Sequence, residues 1–243
     1  MWISSVASVP ASPAKPWLIA IAASAEGIPV TRAILSVLPT NLPAAVMVIH
    51  RQPADYAIGD LLRRVTRLPV RRVVPGERVE PGVVYLVDAG VDLTVRPDRT
   101  FLCRDATSNR SHRSSADALL ESAAHVFHGH VIAVVLSGTD IDVIDGVLNV
   151  KAQGGVVIAQ DPPTADHPRT LRAAVESGAV DYVLPGYAIG HALSDIIHGL
   201  HVSAAGAPSS PVLHHHSLTS TCLSFAVHGR HVASTPADRA SAA

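Results

Sequence analysis

Cysteine is scarce in this sequence, and that scarcity excludes two classes of protein. The 243 residues include only Cys103 and Cys222, which lie far apart. A disulfide framework or a cysteine-ligated metal site needs several cysteines at short, regular spacings. The sequence therefore predicts neither, and a reducing, cytoplasmic setting fits it best.

Blocks of positive charge and long apolar runs are also missing. Basic residues form only short pairs such as Arg63-Arg64 and Arg71-Arg72, and the formal charge is −1. A nucleic-acid-binding surface requires a concentrated basic patch, so we predict no DNA or RNA partner. Charge, Pro or Gly interrupts each apolar stretch before it reaches the roughly 18 residues that span a bilayer, so we predict no membrane insertion.

One segment has partial features of a secretion signal. Lys15 precedes the apolar residues 17–25, which end in small side chains. The apolar run is short for a signal peptide and follows a Pro-containing lead. We therefore interpret it as the first strand of a domain, which cleavage would destroy.

The chain divides by composition into three parts. Residues 1–16 are rich in Ser, Ala and Pro and show no helical or strand periodicity of apolar residues, which predicts a disordered lead. Residues 17–200 alternate short apolar runs with helical patterns and predict one domain. Residues 201–243 are dominated by Ser, Ala, Pro and His and predict a low-complexity tail, with a short strand at 222–227 as an option. The adjacent histidines of the tail, His214 to His216, lack the fixed geometry of a selective metal site, so we predict that they are solvated.

The middle part predicts a three-layer α/β fold. Continuous apolar runs indicate strands buried on both faces, at 17–22, 44–49, 131–136, 156–159 and 180–184. Helical patterns lie between them, at 28–38, 58–66, 116–127, 144–152, 171–177 and 189–200. This alternation is typical of a doubly wound, Rossmann-like, mainly parallel sheet. Residues 69–104 have several short strand-like pieces and no helical pattern, and predict antiparallel strands inserted into the sheet or added at its edge.

Three polar residues follow the ends of predicted parallel strands. Ser24 stands at the first strand-to-helix turn, His50 directly follows the second strand, and Asp142 lies beyond the strand at 131–136. Each has an ordinary explanation: Ser24 and Asp142 could cap helices, a role for which Asp140 competes, and His50 could simply end a strand. However, parallel strands bring their carboxyl ends to one edge of the sheet, where such folds place their sites. Together, Ser, His and Asp can also form a catalytic triad, in which they are the nucleophile, the general base and the orienting carboxylate.

Six segments across residues 17–200 together resemble the catalytic domain of chemotaxis receptor methylesterases, the CheB family. They appear in the family's order and at similar spacing. The six are IAIAASAEG (19–27), VIHRQP (48–53), PGERVEPGVVYL (75–86), SHRSSAD (111–117), GGVVIAQDP (154–162) and GAVDYVLP (178–185).

The resemblance implies a specific reaction and site. Ser24 would be the nucleophile, His50 the general base and then acid, and Asp142 the orienting carboxylate. The oxyanion donors would be backbone N–H groups near Ala25 and Thr139. The implied reaction is hydrolysis of glutamate γ-methyl esters on methylated chemoreceptor helices, with glutamine deamidation in some members, and it requires no metal or organic cofactor. The family's N-terminal receiver domain is absent from residues 1–16, so its phosphorylation-dependent control is not expected within this chain.

Several residues depart from the family pattern near the site. Ala22 and Glu26 replace glycines on either side of Ser24, and Val143 replaces the glycine after Asp142. The remaining departures are Thr139-Asp140 for Met-Gly, Ser114 for Pro, Asp92 for His, and Arg169-Thr-Leu171 for Gly-Met-Pro. A glycine lost from a turn that requires positive φ would introduce strain. Two alternatives therefore stay open beside the methylesterase: a catalytically silent relative that binds a receptor or signalling protein, and an esterase of small molecules.

Overall fold

The structure of the chain is a computed structural model. The structure describes residues 16–50, 56–88, 90–105, 114–138, 142–200 and 202. All of them belong to the first of the two units into which the chain divides, residues 1–207 and 208–243. Three predictions lie outside the described residues: the lead before residue 16, almost all of the tail with its alternative of a strand at 222–227, and the oxyanion donor at Thr139.

A seven-stranded, fully parallel sheet forms the centre of the domain. Its strand order is β3-β4-β2-β1-β7-β8-β9. The strands are β1 (Trp17–Ala23), β2 (Ala44–His50), β3 (Val70–Arg72), β4 (Val84–Val87), β7 (Val131–Val135), β8 (Val156–Gln160) and β9 (Tyr182–Leu184), while β5 (Val91–Val95) and β6 (Phe101–Asp105) form a separate antiparallel pair. The predicted α/β class and the small antiparallel addition are therefore confirmed.

The prediction for residues 69–104 was wrong in one respect. We expected antiparallel strands throughout, but β3 and β4 extend the main sheet in parallel, and only β5 and β6 pair antiparallel. Strands of three and four residues carry too little pattern to reveal their direction. Their direction depends on tertiary pairing, of β4 with β2 and of β3 with β4, which local periodicity does not report.

Helices cover both faces of the sheet. They are α1 (Ile28–Val37), α2 (Tyr56–Arg63), α3 (Ser115–Phe127), α4 (Ile144–Ala152), α5 (Arg169–Glu176) and α6 (Gly186–Ile197). Successive residues of β1 point to opposite faces: Ile19 and Ile21 pack in the cluster that contains residues of α1 and α6, while Leu18 and Ala20 pack in the cluster that contains residues of α3 and α4. Both faces are buried, which explains why the central strands are continuously apolar.

The order of the strands reverses beside β1. The chain passes from β1 to β2 and onward to one side of the sheet, and then returns to place β7, β8 and β9 on the other side. In open α/β sheets, ligands bind beyond the carboxyl ends of the strands at this reversal. Ser24 follows β1 directly and therefore stands at this position. Among the described residues, no helix has both the length and the hydropathy that crossing a membrane requires.

Candidate active site

Ser24 occupies a tight turn between β1 and α1. It precedes a short 3-10 helix, Ala25–Gly27, and its side chain makes no capping hydrogen bond to that helix. A Cβ at Gly27 would lie 2.8 Å from Ala23 Cβ and 3.2 Å from the Ser137 carbonyl oxygen, so the turn needs glycine to pass this close to the end of β7. The helix-capping explanation for Ser24 is therefore not supported. Only 7% of Ser24 is exposed.

The Ser24 hydroxyl contacts two acceptors. One is Glu26 Oε2, two residues along the chain, and the other is the backbone oxygen of Ser137 at 3.2 Å. A hydroxyl carries one hydrogen and donates it well to only one acceptor at a time. The hydrogen bond from Ser24 lowers the pKa of Glu26, and the nearby imidazoles of His167 and His50 act in the same direction. Glu26 is thus a stabilised carboxylate in direct contact with the candidate nucleophile.

His50 lies beside Ser24 at the same edge of the sheet. It is the last residue of β2, and it pairs in register with Ala23, the residue before Ser24. His50 does end a strand, but it is only 5% exposed, and its Nε2 atom is shielded from solvent. The parallel pairing of two neighbouring strands therefore brings the candidate nucleophile and the candidate base together.

A second histidine, which the sequence did not indicate, stands on the other side of Glu26. His167 Nε2 is 3.7 Å from Glu26 Oε1, and the two side chains are 47% and 30% exposed. The His167 backbone N–H donates to Ser137 Oγ at 3.1 Å, which fixes this loop against the end of β7. The sequence gave no signal for His167, because it is a single histidine outside any motif and its contact is with Glu26, 141 positions earlier in the chain.

The loop after β7 is held by buried polar contacts. Ser137 N–H donates to Gln160 Oε1 at 3.1 Å, and Gln160 is the last residue of β8. Thr170 Oγ1 donates to the carbonyl oxygen of Gly138 at 3.0 Å. Side chains from β8 and α5 therefore fix the loop that leads to Thr139, the predicted oxyanion donor, which itself lies outside the described residues. The other predicted donor, Ala25, is half-buried in the first position of the 3-10 helix.

Asp142 is anchored through its backbone at the same edge. Its carbonyl oxygen accepts a hydrogen bond from Ser114 Oγ, and its side chain is exposed to solvent. It does not cap α4, whose N-cap residue is Val143. Ser114, which stands where the family has Pro, therefore makes two contacts. It caps α3 by accepting a hydrogen bond from Asp117 N–H at 3.0 Å, and it also contacts the Asp142 segment.

Asp117 links the two helices that begin near the site. It is 3% exposed, and its Oδ1 accepts the Gly146 N–H at 2.6 Å, so it connects the first turn of α3 to the first turn of α4. Burial raises the pKa of Asp117, while the hydrogen bonds from Gly146 and Ser114 oppose that increase. The segment that carries Asp142 is therefore held at Asp142 itself and again at Gly146.

The departures from the family pattern do not strain the backbone at the nucleophile turn. Among the described residues, positive φ outside glycine occurs at Arg99 and His128 only, so neither Ala22 nor Glu26 adopts the left-handed conformation. The condition for strain, a turn that requires positive φ, is therefore not met at these positions, because Ala22 lies within β1 and Glu26 lies in the 3-10 helix. Asp92, which replaces a common family histidine, is buried and accepts a hydrogen bond from Ser115 Oγ at 2.6 Å.

A family model for the CheB methylesterase matches residues 19–193, which include Ser24, His50 and Asp142. The chain belongs to the CheB methylesterase family. A crystal structure of the Thermotoga maritima CheB methylesterase catalytic domain is similar, with a TM-score of 0.67 and 29% sequence identity, and the match covers 74% of this chain and 98% of that one. The resemblance seen in the six sequence segments is thus confirmed at the level of family and fold.

Curated relatives of this CheB-family chain are named for two reactions on protein side chains. The "Protein-glutamate methylesterase/protein-glutamine glutaminase" of Moorella thermoacetica is 33% identical over 189 residues, which cover 75% of this chain and 44% of that protein. The "Putative protein-glutamate methylesterase/protein-glutamine glutaminase" of Leptospira interrogans is 30% identical over 168 residues, which cover 68% of this chain and 87% of that protein. The chain therefore spans less than half of the first relative and most of the second.

Proposed function

We propose that this chain hydrolyses glutamate γ-methyl esters on chemoreceptor proteins, with Ser24, His50 and Asp142 as a catalytic triad. Ser24 Oγ attacks the ester carbonyl carbon while His50 takes the hydroxyl proton. The C–O bond then breaks, His50 gives the proton to the departing oxygen, and methanol leaves. Water, deprotonated by His50, hydrolyses the acyl-serine and returns the serine hydroxyl and a glutamate carboxylate.

The observation that carries this proposal is the position of Ser24 and His50: Ala23, the residue before Ser24, pairs in register with His50. Both are buried at the carboxyl ends of adjacent parallel strands, beside the reversal of strand order. A serine needs a neighbouring base to become a nucleophile at neutral pH, and His50 ends the strand that lies next to the one before Ser24. Membership of a family whose curated members are named for ester and amide hydrolysis supports the same reaction.

Asp142 has the role of orienting His50 in this proposal. An orienting carboxylate holds the imidazole in one tautomer and stabilises its charged form. The exposed position of the Asp142 side chain makes its contribution smaller than that of a fully buried carboxylate, because water screens its charge. The receptor helix would cover this edge when it binds.

One observation favours a second candidate function, a catalytically silent binding module. The Ser24 hydroxyl donates to the Glu26 carboxylate, so its hydrogen is held by Glu26 and not by His50, the proposed general base. A negative charge at this position also opposes the oxyanion that forms during attack. A protein with this arrangement could bind chemoreceptors or other signalling proteins with the same edge without hydrolysing them.

Methanol release from a methylated chemoreceptor fragment distinguishes the two functions. The esterase is supported if the wild-type chain releases methanol and Ser24→Ala does not, while both proteins show the same cooperative melting. The binding module is supported if neither releases methanol and both bind the receptor fragment with the same affinity. Release of methanol by Ser24→Ala at the wild-type rate would exclude Ser24 as the nucleophile.

A further inference from the structure

We propose that Glu26 makes this active site selective for carboxamides over methyl esters, so that glutamine side chains are the preferred substrates. This inference rests on the proposed function, because it concerns the group that Ser24 attacks. The decisive observation is that Glu26 Oε2 accepts the Ser24 hydroxyl hydrogen, which places a carboxylate directly beside the attacking oxygen.

The two substrates differ in what they offer to that carboxylate. A glutamine side chain carries an NH2 group with two hydrogen-bond donors, whereas the methoxy oxygen of an ester has only lone pairs. When a carbonyl carbon approaches Ser24 Oγ, its leaving group comes within reach of Glu26. The carboxylate can accept an N–H from the amide, but it repels the lone pairs of the ester.

The surroundings of Glu26 keep it charged and in position. His167 Nε2 lies 3.7 Å from Glu26 Oε1, and the His167 backbone N–H donates a hydrogen bond to Ser137 Oγ. The same environment that lowers the pKa of Glu26 keeps it an acceptor near neutral pH. Hydrogen bonds to charged groups are the stronger ones in proteins, and a site built to accept such a bond discriminates against an analogue that lacks the donor.

The amide reaction follows the same steps with a different leaving group. Ser24 Oγ bonds to the γ-carbonyl carbon, and its proton passes to His50. The C–N bond then breaks as His50 protonates the nitrogen, and ammonia leaves. Water deacylates the enzyme, so the products are one glutamate and one ammonia for each water consumed. Glu26 gains and loses no proton; it orients the NH2 group and so determines specificity.

Matched peptides that differ only in carrying glutamine or glutamate γ-methyl ester test this inference. The ratio of kcat/KM for ammonia release to that for methanol release is measured for the wild type and three variants. Glu26→Met keeps the bulk without an acceptor, Glu26→Gln keeps a neutral acceptor, and Glu26→Gly restores the family residue. We expect the amide-to-ester ratio to fall about ten- to a hundredfold in Glu26→Met and Glu26→Gly, with Glu26→Gln between them and the wild type.

Two results would overturn the inference. A ratio that changes less than about twofold in Glu26→Met would mean that the carboxylate does not select the leaving group. A ratio that falls in Glu26→Gly but not in Glu26→Met would mean that bulk rather than hydrogen bonding excludes the larger methoxy group.

A binding measurement separates this inference from the proposed function. If the wild type hydrolyses neither peptide, the proposed function fails, and affinities are then compared in Ser24→Ala with and without Glu26→Met. Tighter binding of the glutamine peptide in Ser24→Ala alone supports selection by Glu26. Equal binding of both peptides to both variants refutes it.

Discussion

Asp117 offers a sharp test of how the candidate site is supported. Replacing it with alanine leaves the Gly146 N–H without its buried acceptor, which costs about 1 to 3 kcal/mol. The change also removes a negative charge that favours the first turn of α3 but is costly to bury, and these two effects offset each other. We therefore expect Asp117→Ala to lower the free energy of unfolding by about 1 to 3 kcal/mol, which corresponds to roughly 2 to 12 °C in Tm for a domain of this size.

Asp117→Asn is the matched control, because its side-chain oxygen can still accept from Gly146. Its stability near neutral pH should lie within about 1 kcal/mol of the wild type, since losing the favourable helix interaction is offset by not burying a charge.

The pH dependence of these two proteins should differ in a defined direction. The folded-state pKa of Asp117 is raised, so the folded chain binds this proton more readily than the unfolded chain does. The contribution of Asp117 to stability therefore increases as pH falls through the raised pKa towards the ordinary value of 3.8, and Asp117→Asn lacks this gain.

Thermal and urea unfolding from pH 7 to pH 4, together with an activity assay, check these expectations. Asp117→Ala should also lose activity, because Gly146 anchors the segment that carries Asp142. Equal stability of Asp117→Ala and the wild type, or equal destabilisation by alanine and asparagine, would refute the role given to the Gly146 hydrogen bond.

Three further predictions concern the triad, the charge at the nucleophile turn and the domain limits. Ser24→Ala and His50→Ala should each abolish nearly all turnover, and the double variant should lose little more than either alone. Asp142→Asn should cause a smaller loss of turnover. Additive losses in kcat for Ser24→Ala and His50→Ala would contradict a shared mechanism. Glu26→Gly should raise kcat/KM for methyl esters, more at low than at high salt, because less screening strengthens its opposition to the oxyanion; an unchanged rate at both ionic strengths would show that its charge does not reach the oxyanion. Limited proteolysis should leave a cooperatively melting fragment of about residues 14–203, and a resistant fragment extending beyond residue 208 would move the domain boundary.

The family and the general position of the site were accessible from the sequence. Continuous apolar runs predicted the central parallel strands, because strands buried on both faces need no polar alternation. Given parallel strands, Ser24 and His50 had to end at the same edge, and the pairing of Ala23 with His50 confirms that both residues stand there. The proximity of Glu26 to Ser24 was also accessible, because the two residues are only two positions apart.

Tertiary structure alone decided the contacts that surround this pair. His167 approaches Glu26, Gln160 holds Ser137, and Asp117 holds Gly146, each across tens of residues or more. The parallel direction of β3 and β4 belongs to the same class of facts. Local pattern reports which face of an element is buried, but these contacts depend on which elements become neighbours. Which elements become neighbours is determined when the whole sheet assembles and the loops close, because only then do buried polar groups of distant segments come close enough to form hydrogen bonds with one another.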